Sequence, residues 1–151
     1  MSPARKPPPA ALFASPEDTE AQFYEAMQQG DIERLMAVWA DDDEVACVHP
    51  GGPRLIGRDA IRNSFDSIFA NGAIPVMPEQ VHRLQTMTTA VHHLAERITV
   101  NTDEGTRTAW VLATNVYLKT EEGWRLVVHH ASPGTVGERP PVVGESPTVL
   151  H

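Results

Sequence analysis

The residues with chemistry to offer are concentrated in the histidines. His49 ends the apolar run "EVACVH" and is followed at once by Pro50, Gly51 and Gly52. An imidazole titrates near neutral pH and can accept a proton without large tuning. A histidine held just before a rigid turn therefore suits a general base or a ligand-orienting group at a pocket mouth. It equally suits a loop histidine bonded to nearby backbone. His92 and His93 are adjacent, as are His129 and His130. Both pairs fall in strand-like segments, where neighbours point to opposite faces, so neither pair can grip one metal ion. His49, His130 and a third ligand could be brought together only by the fold. No HxH or HExxH spacing is present, so no metal is expected. "HPGGPRLIG" has glycines but leads into a short strand, which does not make a phosphate-cradling loop, and no cofactor is expected.

Bulk properties narrow the field. The chain has 151 residues, enough for one domain with one core. Its formal charge is −8, with no basic cluster after the first few residues, which argues against nucleic acid as a partner. No apolar stretch reaches the ~20 residues of a membrane span. The start, "MSPARKPPPAALFASPED", lacks the sustained apolar segment of a signal peptide, so the expectation is a cytoplasmic protein without membrane attachment. The single cysteine, Cys47, lies in an apolar run and reads as a core residue.

The elements that must position these residues follow from pattern. Ser15 can cap a helix that Pro16, Glu17 and Asp18 open, with Phe23, Ala26 and Met27 at helical spacing. Gly30 stops it and Asp31 caps a second, whose Ile32, Leu35, Met36 and Trp39 share a face. A third begins near Arg58, with Asp59 suited to its positive end and Ile61, Phe65, Ile68 and Phe69 on one side, ending at Asn71–Gly72. From Pro78 onward, "EQVHRLQTMTT", "VHHLAERITV", "RTAWVLATNVYLKT" and "WRLVVHHA" are β-branched or aromatic-rich strands. "NTDEG" and "EEG" are hairpin loops. The layout is α+β, with helices on one face of a mainly antiparallel meander. Residues 1–14 are a proline-rich extension, 15–132 the domain, and 133–151 a Pro/Gly-rich tail.

Alternation assigns faces. In the third long strand the bulkier set, Trp110, Leu112, Thr114, Val116 and Leu118, is expected to face the helices. In the last strand His130 is expected to point inward with Trp124, Leu126 and Val128. His129 would point outward with Arg125, which marks that side as partly wet. Glu96 shares a face with His92, Leu94 and Ile98; burial there would raise its pKa, and a sheet-edge or dimer-interface position would also explain it. These strands are apolar on both sides, so a second subunit is the simplest cover for the outer face.

Taken in order, "FYEAMQQGDIERLMAVWADD", "VHPGG", "LIGRDAIRNSF" and "GWRLVVHHAS" resemble the nuclear transport factor 2 superfamily, most nearly its SnoaL-like and ketosteroid-isomerase-like bacterial members. The resemblance covers about residues 17 to 132. It implies a curved sheet wrapped around helices as a cone, with a pocket at the open end and a homodimer formed through the sheet. Ketosteroid isomerases hold an aspartate base before a proline where this chain has His49. They hold a tyrosine where this chain has Phe23, with Tyr24 one position on and turned by about 100°. Their acidic partner falls near Thr114, where no carboxylate is present. That argues against steroid isomerisation by the aspartate/tyrosine mechanism. A superfamily that includes enzymes and binding domains does not set the function.

Two functions remain open at this point. One is an isomerase, cyclase or dehydratase doing proton transfer on an apolar, carbonyl-bearing substrate. His49 would be the base, and His130 or Thr114 would orient the substrate. Phe23, Tyr24, Trp39, Phe65 and Trp110 would line the pocket, each of the larger aromatics being equally at home in a plain core. The other is a non-catalytic module that binds a small apolar ligand or dimerises.

Overall fold

The computed structural model describes residues 12–144. The order is α1 (Pro16–Gln29), α2 (Ile32–Ala37), β1 (Ala46–Val48), β2 (Arg54–Ile56), α3 (Arg58–Phe69), β3 (Val76–Gln85), β4 (Thr89–Thr102), β5 (Gly105–Thr120) and β6 (Gly123–Val136). The six strands form one curved sheet in the order β2-β1-β6-β5-β4-β3. All neighbours are antiparallel except β1 and β6, which run parallel. None of the described helices is long and apolar enough to cross a membrane.

The local signals act as expected. Ser15 Oγ accepts from the Asp18 amide, and Pro16 occupies the first turn of α1. Gly30 closes the helix in the left-handed conformation, φ 65°, and its amide reaches the carbonyls of Ala26 and Met27. Asp31 caps α2 by accepting from the Arg34 amide. The Arg58 guanidinium, from the first turn of α3, donates to the carbonyls of Met36, Trp39 and Ala40 and so closes the C-terminal end of α2.

The core lies between the helices and the concave side of the sheet. Phe23, Leu35, Trp39, Ile61 and Phe65 come from the helical side, and Leu94, Ala113, Tyr117 and Leu126 from the sheet. Phe23 packs edge-on against Tyr24, Trp39 and Phe65.

Two face assignments are corrected. On β5 the inward set is Val111, Ala113, Asn115 and Tyr117, all buried; Leu112, Thr114 and Val116 are half-buried on the outer face. Bulk does not select the face here. Alanines at 113 and 131, paired in register, let α1 approach the sheet, and Asn115 and Tyr117 find buried hydrogen-bond partners on α1. Trp110 is also buried, but on the outer side, where the Arg139 guanidinium lies 5.8 Å from its ring centre.

On β6 the inward residue is His129, buried, and His130 is exposed. The cause is a β-bulge. Val116 pairs with Val128 and Tyr117 with Leu126, so Val127 is an extra residue on β6. One extra residue inverts the alternation beyond it. Arg125 is not on a wet side either. It is buried under the Phe13 ring, 3.7 Å from its centre, and donates to the carbonyls of Glu122 and Trp124. Phe13 thus packs with the core although it falls in the expected extension. At the other end β6 runs to Val136, past residue 132, and Pro140 is buried. Residues 1–11 of the extension and 145–151 of the tail lie outside the described residues.

Candidate functional site

The strand register lays His92, Asn115, His129 and Cys47 side by side across β4, β5, β6 and β1 on the concave face. It also places His82, His93, Thr114 and His130 in a row on the outer face. The first row is inside the protein and meets α1; the second is exposed or half-buried. His49 and His130 are therefore on different sides of the sheet, and Thr114 and Trp110 lie with His130. Phe23, Tyr24, Trp39 and Phe65 are together in the interior.

The inner row is wired to α1 by two buried networks. In the first, the Tyr24 hydroxyl donates to Glu96 Oε2 at 2.7 Å and accepts from Asn115 Nδ2 at 3.0 Å. Asn115 Oδ1 lies 2.6 Å from His129 Nδ1. His129 Nε2 makes no hydrogen bond among the described residues and sits 3.9 Å from Glu96 Oε2. In the second, Glu20 Oε2 is 2.7 Å from His92 Nδ1 and accepts from the Tyr117 hydroxyl at 3.0 Å. Glu17 stands 3.4 Å from His92 Nε2.

Burial sets the protonation of the first network. Loss of solvent raises the Glu96 carboxyl to about 7; the Glu20 charge adds to this and the Tyr24 hydrogen bond opposes it. The same burial pushes His129 down to about 3, helped by His49 and His130, so its imidazole is neutral. Tyr24 is raised well above its ordinary value, by burial first and the Glu96 charge second. Cys47 is pushed up to about 12 by burial and by Glu96, which keeps it an unreactive thiol.

His49 is half-buried at the edge of this region. Its Nε2 lies 2.8 Å from Ser64 Oγ and 3.9 Å from Cys47 Sγ, and its ring packs edge-on against Phe65. Its carbonyl accepts from the Gly52 amide at 2.8 Å, which ties the Pro50–Gly51 turn. Burial lowers its pKa. Among the described residues no three or more His, Cys, Asp or Glu side chains are grouped to hold a metal. A cleft of about 680 Å³ opens beside Trp39, Arg58 and Arg125, and one of about 300 Å³ beside His82, His93 and Pro140; neither is lined by His49, Glu96 or His129.

Glu96, Asn115 and His129 were absent from the expected site. Glu96 was visible as a carboxylate on an apolar strand face. Bulk alone points to the opposite face of β5 from the one that carries Asn115, and simple alternation places His129 outward because it does not foresee the bulge.

The SnoaL-like domain profile matches residues 17–135. The chain belongs to the SnoaL-like domain family. No curated protein matches it. Among solved structures it is similar to a domain from Thiobacillus denitrificans provisionally named a calcium/calmodulin-dependent protein kinase type II association domain. The two share 38% identity over 82% of this chain and 98% of the other, with a TM-score of 0.74. A provisionally named dehydratase of the NTF2-like family from Streptomyces avermitilis shares 36% identity over 77% and 91%, TM-score 0.69. The CaMKII hub of S. rosetta, at 20% identity over 87% and 99% with a TM-score of 0.62, shares the fold. This SnoaL-like chain is therefore an NTF2-like protein, and its relatives carry names from two different functional classes.

Proposed function

We propose that the SnoaL-like domain is a small-molecule enzyme that moves a proton on an apolar, carbonyl-bearing substrate, in an isomerisation, cyclisation or dehydration. The observation that carries this reading is the buried Glu96 carboxyl, held near neutrality and bonded to a tyrosine. A buried ionisable group is expensive, and an apolar side chain would stabilise the core more simply. Such groups are concentrated where a proton must be exchanged near pH 7. Glu96 is the proton-transfer group. Tyr24, whose hydroxyl donates to Glu96, holds the carboxyl in place, and His49, half-buried beside Ser64, orients the substrate. The name of the Streptomyces relative is consistent with this class of chemistry.

A thermal-shift screen of apolar carbonyl compounds identifies the substrate, since a bound ligand raises apparent stability. With it in hand, Glu96→Gln is expected to lower kcat by 10²-fold or more, on the order of what a general acid–base contributes. A folded Glu96→Gln protein with full turnover overturns the reading. Full turnover in His49→Ala removes the role of His49 alone.

A second reading is a non-catalytic association module, favoured by the name of the Thiobacillus relative. Its surface is the outer sheet face, where Leu84 is 73% exposed and Val91, Leu112 and Val116 are half-buried. The expected state is a homodimer through that face. A clean monomer at micromolar concentration by light scattering refutes it.

A further inference from the structure

Tyr24, Asn115 and His129 form an unbranched chain of hydrogen bonds leading away from Glu96. Each link has one proton to place, so the chain runs in one of two directions. When Glu96 is a carboxylate it can only accept. Tyr24 O–H donates to it, Asn115 N–H donates to the tyrosine oxygen, and Asn115 Oδ1 faces the imidazole. His129 then carries its proton on Nδ1, and Nε2 is a bare lone pair. When Glu96 takes a proton on the oxygen facing Tyr24, every link reverses. Glu96 O–H donates to Tyr24, and Tyr24 O–H donates to Asn115 Oδ1 after the amide turns by half a rotation. Asn115 N–H donates to Nδ1, and the imidazole keeps its proton on Nε2. The net change is one proton gained from solvent at Glu96. His129 loses one proton at Nδ1 and gains one at Nε2, so it stays neutral.

We propose that Asn115 is a positioning residue that couples the protonation of Glu96 to the tautomer of His129. This deepens, and rests on, the proton-transfer reading of the same site. In one direction the site presents two acceptors, a carboxylate and an imidazole lone pair, which suit a hydroxyl-bearing ligand. In the other the acid's one proton is spent on Tyr24, and the site presents a single donor, the imidazole N–H on Nε2, which suits a carbonyl oxygen. The relay therefore suits a ligand whose oxygen passes between hydroxyl and carbonyl forms, as it does in an enolisation. Asparagine serves because its carboxamide offers a donor and an acceptor from one rigid planar group; an ionised aspartate at 115 could only accept, and a leucine could do neither.

The charged and titratable surroundings are few. Glu20 and Tyr24 face the pair from α1, Cys47 from β1 and His49 from the turn after it. His130 acts on His129 from the far side of β6, and Tyr117 of β5 acts on Tyr24. On β4 itself His92 belongs to the Glu20 network, and β3 places the uncharged Pro78 opposite Glu96. Glu96 titrates near neutrality, within an accessible range.

The test needs no substrate. Long-range ¹H–¹⁵N spectra of histidine-labelled protein read the tautomer of His129 directly. In the unmodified chain its Nε2 is expected to move from a pyridine-like to a pyrrole-like position as pH falls through the Glu96 titration. Asn115→Asp, checked by its amide spectrum for a native fold, is expected to hold Nε2 pyridine-like throughout. Glu96→Gln is expected to remove the pH dependence. One tautomer across the whole titration of the unmodified chain overturns the proposal. So does a wild-type exchange in Asn115→Asp, or a retained exchange in Glu96→Gln. Loss of turnover in Glu96→Gln without these spectral outcomes would leave the proton-transfer reading standing and this coupling refuted; all the expected spectral outcomes together with full turnover in Glu96→Gln would leave the coupling standing and refute the proton-transfer reading.

Discussion

Replacing Glu96 by glutamine should stabilise the protein at alkaline pH and leave it nearly unchanged in mild acid. Glu96 is 5% exposed, and its carboxyl is raised from 4.5 to about 7, by burial first and the Glu20 charge second. The native state thus holds this proton more tightly than the unfolded chain does. Stability from that preference is complete below pH 4.5 and is lost as pH rises through 7. One pH unit of difference corresponds to about 1.4 kcal/mol, so the whole loss is about 3 kcal/mol. Glutamine is neutral at every pH, has nearly the same shape, and can still partner the Tyr24 hydroxyl. The difference in unfolding free energy between Glu96→Gln and the unmodified chain should therefore grow by about 3 kcal/mol between pH 4.5 and pH 8. Urea titrations at a series of pH values, at one protein concentration and with slopes compared, measure it. A difference that is constant with pH, or that shrinks as pH rises, refutes the buried carboxyl of raised pKa on which the functional reading stands.

Two further outcomes test other parts of the structure. Arg58→Met removes three hydrogen bonds, given by two guanidinium nitrogens to the carbonyls of Met36, Trp39 and Ala40; the expected loss is about 2 kcal/mol, read as a Tm lower by roughly 4–8 °C. His129 has a pKa depressed from 6.5 to about 3, so the stability it lends is present above pH 6.5 and lost as pH falls towards 3. His129→Leu should accordingly show a smaller fall in Tm across that window than the unmodified chain, though its Tm at pH 8 is lower because Asn115 loses a partner.

Much of the architecture was legible because it rests on local rules. Ser15, Pro16, Gly30 and Asp31 delimit two helices through backbone capping, which needs no tertiary partner. The hairpin loops and strand segments follow from turn chemistry and β-branched content in the same way. His92 and His93 fall on opposite faces as strand geometry requires, and Glu96 is where an apolar strand face would bury it. The order of the motifs is that of the NTF2-like fold.

Which face meets the helices was not legible. On β5 both faces are apolar, and the choice went to the one whose small residues admit α1 and whose Asn115 and Tyr117 find partners there. His129 and His130 exchanged roles because one extra residue, Val127, enters β6. A bulge is a property of a strand pair, so its position depends on residues far apart in the chain. Capped helices, strands and family follow from local sequence signals. Tertiary structure alone decided that Tyr24, Glu96, Asn115 and His129 meet, because a hydrogen-bonded network between a helix and three strands exists only once the sheet has closed over it.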